Sequence, residues 1–223
     1  GGDDAAIASY TKQADGSWSE QILCDLPYVH RFGILKAADG QLWVLACSIK
    51  GGAETGVKDD WRTPGAVWAA PLSDNLEQYT ADNQLKLTCV ANYQVQNHGF
   101  WTAPDKSYVL ISTAAGVFRY VPPTTPQGAW DVTCLLVQPT SDIVATDFDG
   151  DGKLEILTFS KFHGDTLAIW HEGQTRDRYE QVWCDPQKRS FLHALWAADL
   201  NGEKCAVIGN RKDGRDLLLD RKS

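Results

Sequence analysis

A unit of about 45–50 residues recurs along this chain, and a repeat narrows the possible folds more than composition does. Four cysteines share a context, "QILCDLP", "LKLTCVAN", "DVTCLLV" and "QVWCDP", separated by 65, 45 and 50 residues. Six to nine residues after each stands a second marker: His30 in "YVHRFGI", His98 in "QNHGFWT", Asp142 in "TSDIVAT" and His193 in "FLHALWA". A third marker is a short apolar stretch, "GAVWAAPL", "GVFRYVPP", "TLAIWHEG" and a weaker "RDLLLDR". The first interval is the longest because it holds a Gly-rich insertion, "KGGAETGVKDDWRTPG". No segment sustains helical periodicity. Each unit instead reads as four short strands divided by Gly, Asp, Asn and Pro turn signals. In the third unit these are "DIVATD", "LEILTFS", "TLAIWHE" and "YEQVWCD". Four strands at this period predict an all-β fold, a β-propeller of four-stranded antiparallel blades, each burying its two faces against its neighbours.

The phase of the repeat predicts the blade limits. Residues 1–2 read as the remnant of a trimmed start, and 3–23 as the last two strands of a partial blade. Residues 24–89, 90–134 and 135–184 form full blades, and 185–223 supply the first three strands of a terminal one. The expectation is one propeller domain over 1–223, of five blades with one incomplete, or a piece of a larger propeller. The repeated Cys falls on the outermost strand of separate blades, where it reads as a small buried apolar residue.

Composition removes several functions. The chain is 43% hydrophobic and 22% charged, ordinary for a globular protein with a large core. Its net charge is −8, and no Lys/Arg cluster interrupts it, which argues against nucleic acid and anionic membrane as partners. No apolar run approaches the ~20 residues of a membrane span. Six cysteines without a pairing or metal-type spacing favour a reducing, cytoplasmic compartment; a signal trimmed from the start would make the protein secreted. Methionine is absent, and nothing in the sequence accounts for that.

The densest chemistry is in "ATDFDGDGKLEIL", residues 145–157. Asp147, Asp149 and Asp151 alternate, Gly150 and Gly152 allow the chain to curl, and Glu155 closes the run. Such carboxylates repel one another without a cation. A hard cation such as Ca²⁺ takes six to eight oxygens. Asp147, Asp149, Asp151 and Glu155, with the carbonyl of Lys153, are the expected set. The pattern D-x-D-G-D-G-x-x-[DE] between apolar strands resembles the FG-GAP or VCBS repeat family, and the resemblance implies Ca²⁺. The other turns, "AADGQLW", "APDKSYV" and "AADLNGEKCAV", keep at most half of it, which fits a role in tying a hairpin rather than in catalysis.

The other end of the blades carries a second group. The first strand of a blade lines the channel, and the start of that strand lies beside the end of the second. His30, His98, Asp142 and His193 begin first strands. Lys50, Lys161, His163, Arg211 and Lys212 follow second strands as a cationic collar. Three of the chain's five histidines therefore share one register. Imidazoles with a carboxylate suit Zn²⁺ or another divalent metal in the channel, and imidazole also transfers protons near neutral pH. Trp61, in the Gly-rich insertion, is placed to stack on a sugar face or to cap the blade edge. Most of the nine tryptophans are expected in the core.

"HALWAADLNGEKCAVIGNRKDGRDLLL" looks like a blade form found in aldos-2-ulose dehydratase-like, carbohydrate-active propellers. The resemblance implies a metal near the channel and elimination or isomerisation on keto-sugars, with His193, Asp199 and Arg211 at matching positions. Two functions of different class follow. One is a metal-dependent lyase or dehydratase acting on a sugar, with His30, His98 and His193 as proton-transfer or ligand groups and Lys161 and Arg211 holding an anionic oxygen. The other is a non-catalytic, Ca²⁺-stabilised module binding glycan or a protein partner.

Overall fold

The computed structural model describes residues 2–52 and 60–212, and the backbone of 217–221. The middle of the Gly-rich insertion (53–59), residues 213–216 and the extreme ends lie outside the described residues. The strands form five antiparallel sheets. The first pairs β1 (Ala6–Lys12) with β2 (Trp18–Asp25). The second has the order β3 (Val29–Lys36), β4 (Leu42–Ser48), β5 (Gly65–Leu72), β6 (Thr88–Gln94), and the third β7 (Gly99–Thr102), β8 (Val109–Thr113), β9 (Gly116–Val121), β10 (Asp131–Leu136). The fourth contains β11 (Asp142–Thr146), β12 (Glu155–Ser160), β13 (Thr166–Glu172), β14 (Tyr179–Cys184). The last contains β15 (Leu192–Leu200), β16 (Glu203–Asn210), β17 (Leu217–Arg221). Every sheet is a meander in chain order, the blade of a propeller, and the fold is all-β as the repeat predicts. Among the described residues no helix is long and apolar enough to cross a membrane.

The chain divides into two compact units. The first holds sheets one and two with residues 105–107 and 122–130. Its core is a layer between the two sheets: Ile7, Leu23, Cys24 and Leu26 pack on Val44, Ala46, Ala70 and Leu72. The second unit holds the other three sheets. In it β11 packs against both β7 and β15, so the first strands of successive sheets lie together.

The fourth sheet explains why its strands are nearly continuous apolar runs. Successive side chains of a strand point to opposite faces. Ile143, Ala145 and Ile156 enter a cluster with Leu110, Val117, Leu135 and Leu136 of the third sheet. Val144, Leu157 and Phe159 enter another, with Leu192, Ala206 and Ile208 of the fifth. Both faces are buried, so no polar alternation survives. Each such aliphatic side chain contributes roughly 1.5–3 kcal/mol by leaving water.

The repeated cysteines have a different common factor from the one expected. Cys24 is buried, Cys134 and Cys184 are half-buried and Cys89 is exposed; all six cysteines are free. What they share is a place within two residues of a β-bulge in the last strand of their sheet. A bulge locally raises the twist of the outer strand. The tryptophans also depart from expectation. Trp43 is buried, Trp68, Trp101 and Trp170 pack at cluster edges, and Trp18, Trp183 and Trp196 are exposed. Inner strands packed this closely leave little room for indoles, which sit at the margins.

Candidate metal centres

Two groups of side chains in the second unit can hold a metal, one at each end of the fourth sheet. The first comprises His98, His163 and His193, one ligand atom of each lying within 4.8 Å of the others. His98 immediately precedes β7, His163 lies in the turn after β12, and His193 is the second residue of β15. The residues before β11 bring them together. The Ser141 carbonyl accepts from His98 Nδ1 (3.0 Å) and from Ser112 Oγ (3.0 Å), and Ser141 Oγ accepts the His163 N–H (3.1 Å). A carbonyl only accepts, so His98 carries its proton on Nδ1 and Nε2 is left as its ligating atom. The approach of β7 to β11 requires glycine at 99: a Cβ there would stand 2.8 Å from Asp142 Cα and closer still to Ser112 Oγ.

Aromatic rings set the electrostatics. His163 stacks on Phe162 (centroids 4.0 Å apart) and on Phe191 (4.7 Å), and the Arg211 guanidinium lies 5.6 Å above the Phe191 ring. Burial, then the neighbouring His193 and Arg211, push the His163 imidazole down to about 4. It is neutral at neutral pH, and its Nε2 is buried without a hydrogen-bond partner. A buried, unpartnered nitrogen of a neutral ring, beside two other imidazoles, is a position suited to a divalent transition ion.

Of the residues singled out at this end by sequence, the structure brings together His98 and His193, with Arg211 beside them. His30, in β3, belongs to the other unit and is not in the group. Asp142 is buried at the head of β11, its Oδ1 accepting the Ile143 N–H (3.0 Å), and is likewise outside it. Lys161 is exposed in the turn that carries His163. His163, read from sequence only as part of the collar, joins the group itself.

The second group comprises Asp149, Asp151, Glu155 and His171, again within 4.8 Å. The turn between β11 and β12 curls through Gly150 (φ +75°) and Gly152 (φ +88°), left-handed angles that favour glycine. Asp147 faces the turn's own backbone: Oδ1 accepts from Gly150 N (2.6 Å) and Oδ2 from Gly152 N (3.0 Å). Glu155 is 2% exposed. Its Oε2 accepts from Phe148 N (2.6 Å) and Asp149 N (3.3 Å), and its Oε1 has no hydrogen-bond partner. Burial raises the Glu155 carboxyl above its ordinary range. His171 Nε2 lies 3.1 Å from Asp151 Oδ2 and 3.7 Å from Glu155 Oε1, and its pKa is raised chiefly by Asp151. Lys153 donates its N–H to Asp151 Oδ1 (2.8 Å).

Sequence reasoning missed His171. The signal was available in the hairpin register: Ile156 pairs with Trp170, so Glu155 and His171 are neighbours across β12 and β13.

The fold defines a class: an all-β chain of antiparallel propeller blades with candidate metal centres at its strand ends. Comparison with family models and with curated proteins gave no match. Among solved structures, the chain is similar to the X-ray structure of a protein assigned by inference as a gluconolactonase, at 16% identity and a TM-score of 0.42. The match covers 89% of this chain and 62% of the other, so the chain spans under two thirds of that protein's length.

Proposed function

We propose that His98, His163 and His193 hold a divalent transition metal and that the chain is a metal-dependent lyase or dehydratase acting on a sugar or keto-sugar. The observation that carries the reading is the convergence of three imidazoles with His163 Nε2 buried and unpartnered. When bound, such an ion supplies Lewis acidity toward a carbonyl oxygen. The chain's own groups divide the remaining work. The Ser141 carbonyl fixes the tautomer of His98, and stacking on Phe162 and Phe191 keeps His163 dry and neutral. His193, half-buried on a different strand, completes the ligand set. Arg211, held over Phe191, faces the oxygen on which charge develops. The substrate class rests on the likeness of residues 193–219 to the carbohydrate-active propellers named above.

A non-catalytic binding module is the second reading, favoured by Trp183 and Trp196, which stand 38% and 57% exposed; exposed indoles are enriched at interfaces. Metal analysis of the purified chain together with ultraviolet detection of the enone formed from a keto-sugar separates the two. Enzyme function requires His98→Gln and His163→Gln to lose metal and turnover together. Metal retention with no turnover in the wild type would leave the module.

A further inference from the structure

The acidic turn departs from the all-oxygen cage that calcium prefers, and we propose that Asp149, Asp151, Glu155 and His171 form a mixed nitrogen–oxygen site for a first-row transition ion of the Zn²⁺ class. Asp147 is turned to Gly150 N and Gly152 N with both oxygens, so it belongs to the loop rather than to the ligand set. What remains is three carboxylates and one imidazole.

The imidazole is positioned as metal-ligating histidines are. Its Nδ1 lies 2.8 Å from the Glu172 carbonyl. A carbonyl cannot donate, so Nδ1 keeps its proton, and Nε2 is the nitrogen that can exchange its own for an ion. Nε2 then stands 3.1 Å from one carboxylate oxygen and 3.7 Å from another. At that range the ring nitrogen and the carboxylate share positive charge, a proton in the metal-free protein or an ion in its place. Bonds of about 2.0–2.2 Å to a common ion, meeting near a right angle, separate two ligands by about 3 Å. An independent observation is the Glu155 carboxylate, 2% exposed, which keeps Oε1 without a hydrogen-bond partner on the side facing His171. Burying a carboxylate oxygen in that state is costly unless a cation meets it. Imidazole suits zinc and its neighbours in the first row, whereas Ca²⁺ takes oxygen. The ligands are also held rigidly, Glu155 and His171 by adjacent strands in fixed register.

The site shares no residue with the histidine triad, so the test is a difference in which the triad cancels. Zn²⁺ and Ca²⁺ are titrated separately into metal-free wild type and His171→Gln. The expected result is that the substitution weakens Zn²⁺ binding at one site at least tenfold and leaves Ca²⁺ binding within about twofold. Nitrogen NMR of the wild type, followed through the Zn²⁺ titration, gives a reading that does not depend on the variant folding: the His171 Nε2 resonance should move to the position of a metal-bound nitrogen. Equal affinity for Ca²⁺ and Zn²⁺, indifference to His171→Gln, or a His171 ring that keeps a proton on Nε2 throughout the titration would each overturn the assignment.

Discussion

The two ends of the fourth sheet put the same side chain in opposite surroundings. At the end where β11 begins, His163 is stacked on two phenyl rings and is discharged by burial. At the other, His171 stands 3.1 Å from Asp151, which favours its charged form. The cause is which term dominates: desolvation disfavours the imidazolium, and a contacting carboxylate favours it. The difference teaches that spacing alone could not have ranked the five histidines, because their neighbours come from other strands. It also separates what holds each end. The histidine end is built on packed side chains, the acidic end on carboxylates turned toward backbone N–H groups and an imidazole.

The comparison can be broken hardest by removing packing from the histidine end. Phe159 is fully buried, pairs with Asp142 and accepts the Ser141 N–H through its carbonyl. Phe159→Ala should cost about 3–5 kcal/mol, a fall in Tm of roughly 6–20 °C at about 2–4 °C per kcal/mol, read by calorimetry. A drop of a degree or two would mean that this end does not depend on its core.

A sharper contrast lies in pH. His163 has a folded pKa of about 4, below the ordinary 6.5, so the unfolded chain takes up a proton first and stability falls as pH drops from 6.5 to 4. His171 has the opposite sign: its raised pKa stabilises the fold below 6.5, and that contribution is lost as pH rises through the folded value. In metal-free protein the Tm against pH should flatten between 4 and 6.5 for His163→Gln, whereas His171→Gln should leave that window's slope unchanged and remove a fall in Tm that begins above 6.5. Parallel curves would remove the distinction between the two ends.

Glu155→Gln should act more gently. Its carboxyl is raised by burial and by Asp149, so the charged form is a cost above about pH 4.5. The metal-free variant should match the wild type or gain a few degrees at pH 8, while added Zn²⁺ raises its Tm by less than it raises the wild type's, the triad still binding. A large loss of stability without metal would show that the buried charge is needed for the fold itself. The smallest effect is expected at the turn between β15 and β16. There Asp199 accepts Gly202 N (2.8 Å), as Asp147 accepts Gly150 N, but Lys204 Nζ sits 3.0 Å from its other oxygen. Exposed pairs of this kind are worth about 0–1 kcal/mol, so Lys204→Ala should change Tm by no more than about 4 °C, with no metal response created or lost.

The blade phase was legible because period-two apolar runs and turn residues bracket each strand. The predicted "DIVATD", "LEILTFS", "TLAIWHE" and "YEQVWCD" overlie β11 to β14. The short turn at Asn201 (φ +59°) and Gly202 (φ +86°) follows from an Asn-Gly pair, which closes a hairpin by itself. Less legible was everything that depends on partners across strands. The acidic spacing pointed to a cation site but gave no hint that Asp147 would face the backbone, or that the nearest further ligand would be a nitrogen from β13. His30 shares a register with His98 and His193 in sequence but lies in the other unit.

The alternation of β11 between two clusters also bears on how errors in assembly are excluded. Ile143 and Ala145 belong to one hydrophobic layer and Val144 to the other. A slip of one residue against β12 would send each to the wrong layer and invert the strand's faces. It would also break the pairing of Thr146 with Glu155 and move the acidic turn away from His171. The hairpin therefore has a single setting at which core and ligands are satisfied together. Proofreading of the sheet is built into the same few residues that gather the carboxylates, and an ion captured there would lock the correct alignment after the chain has found it.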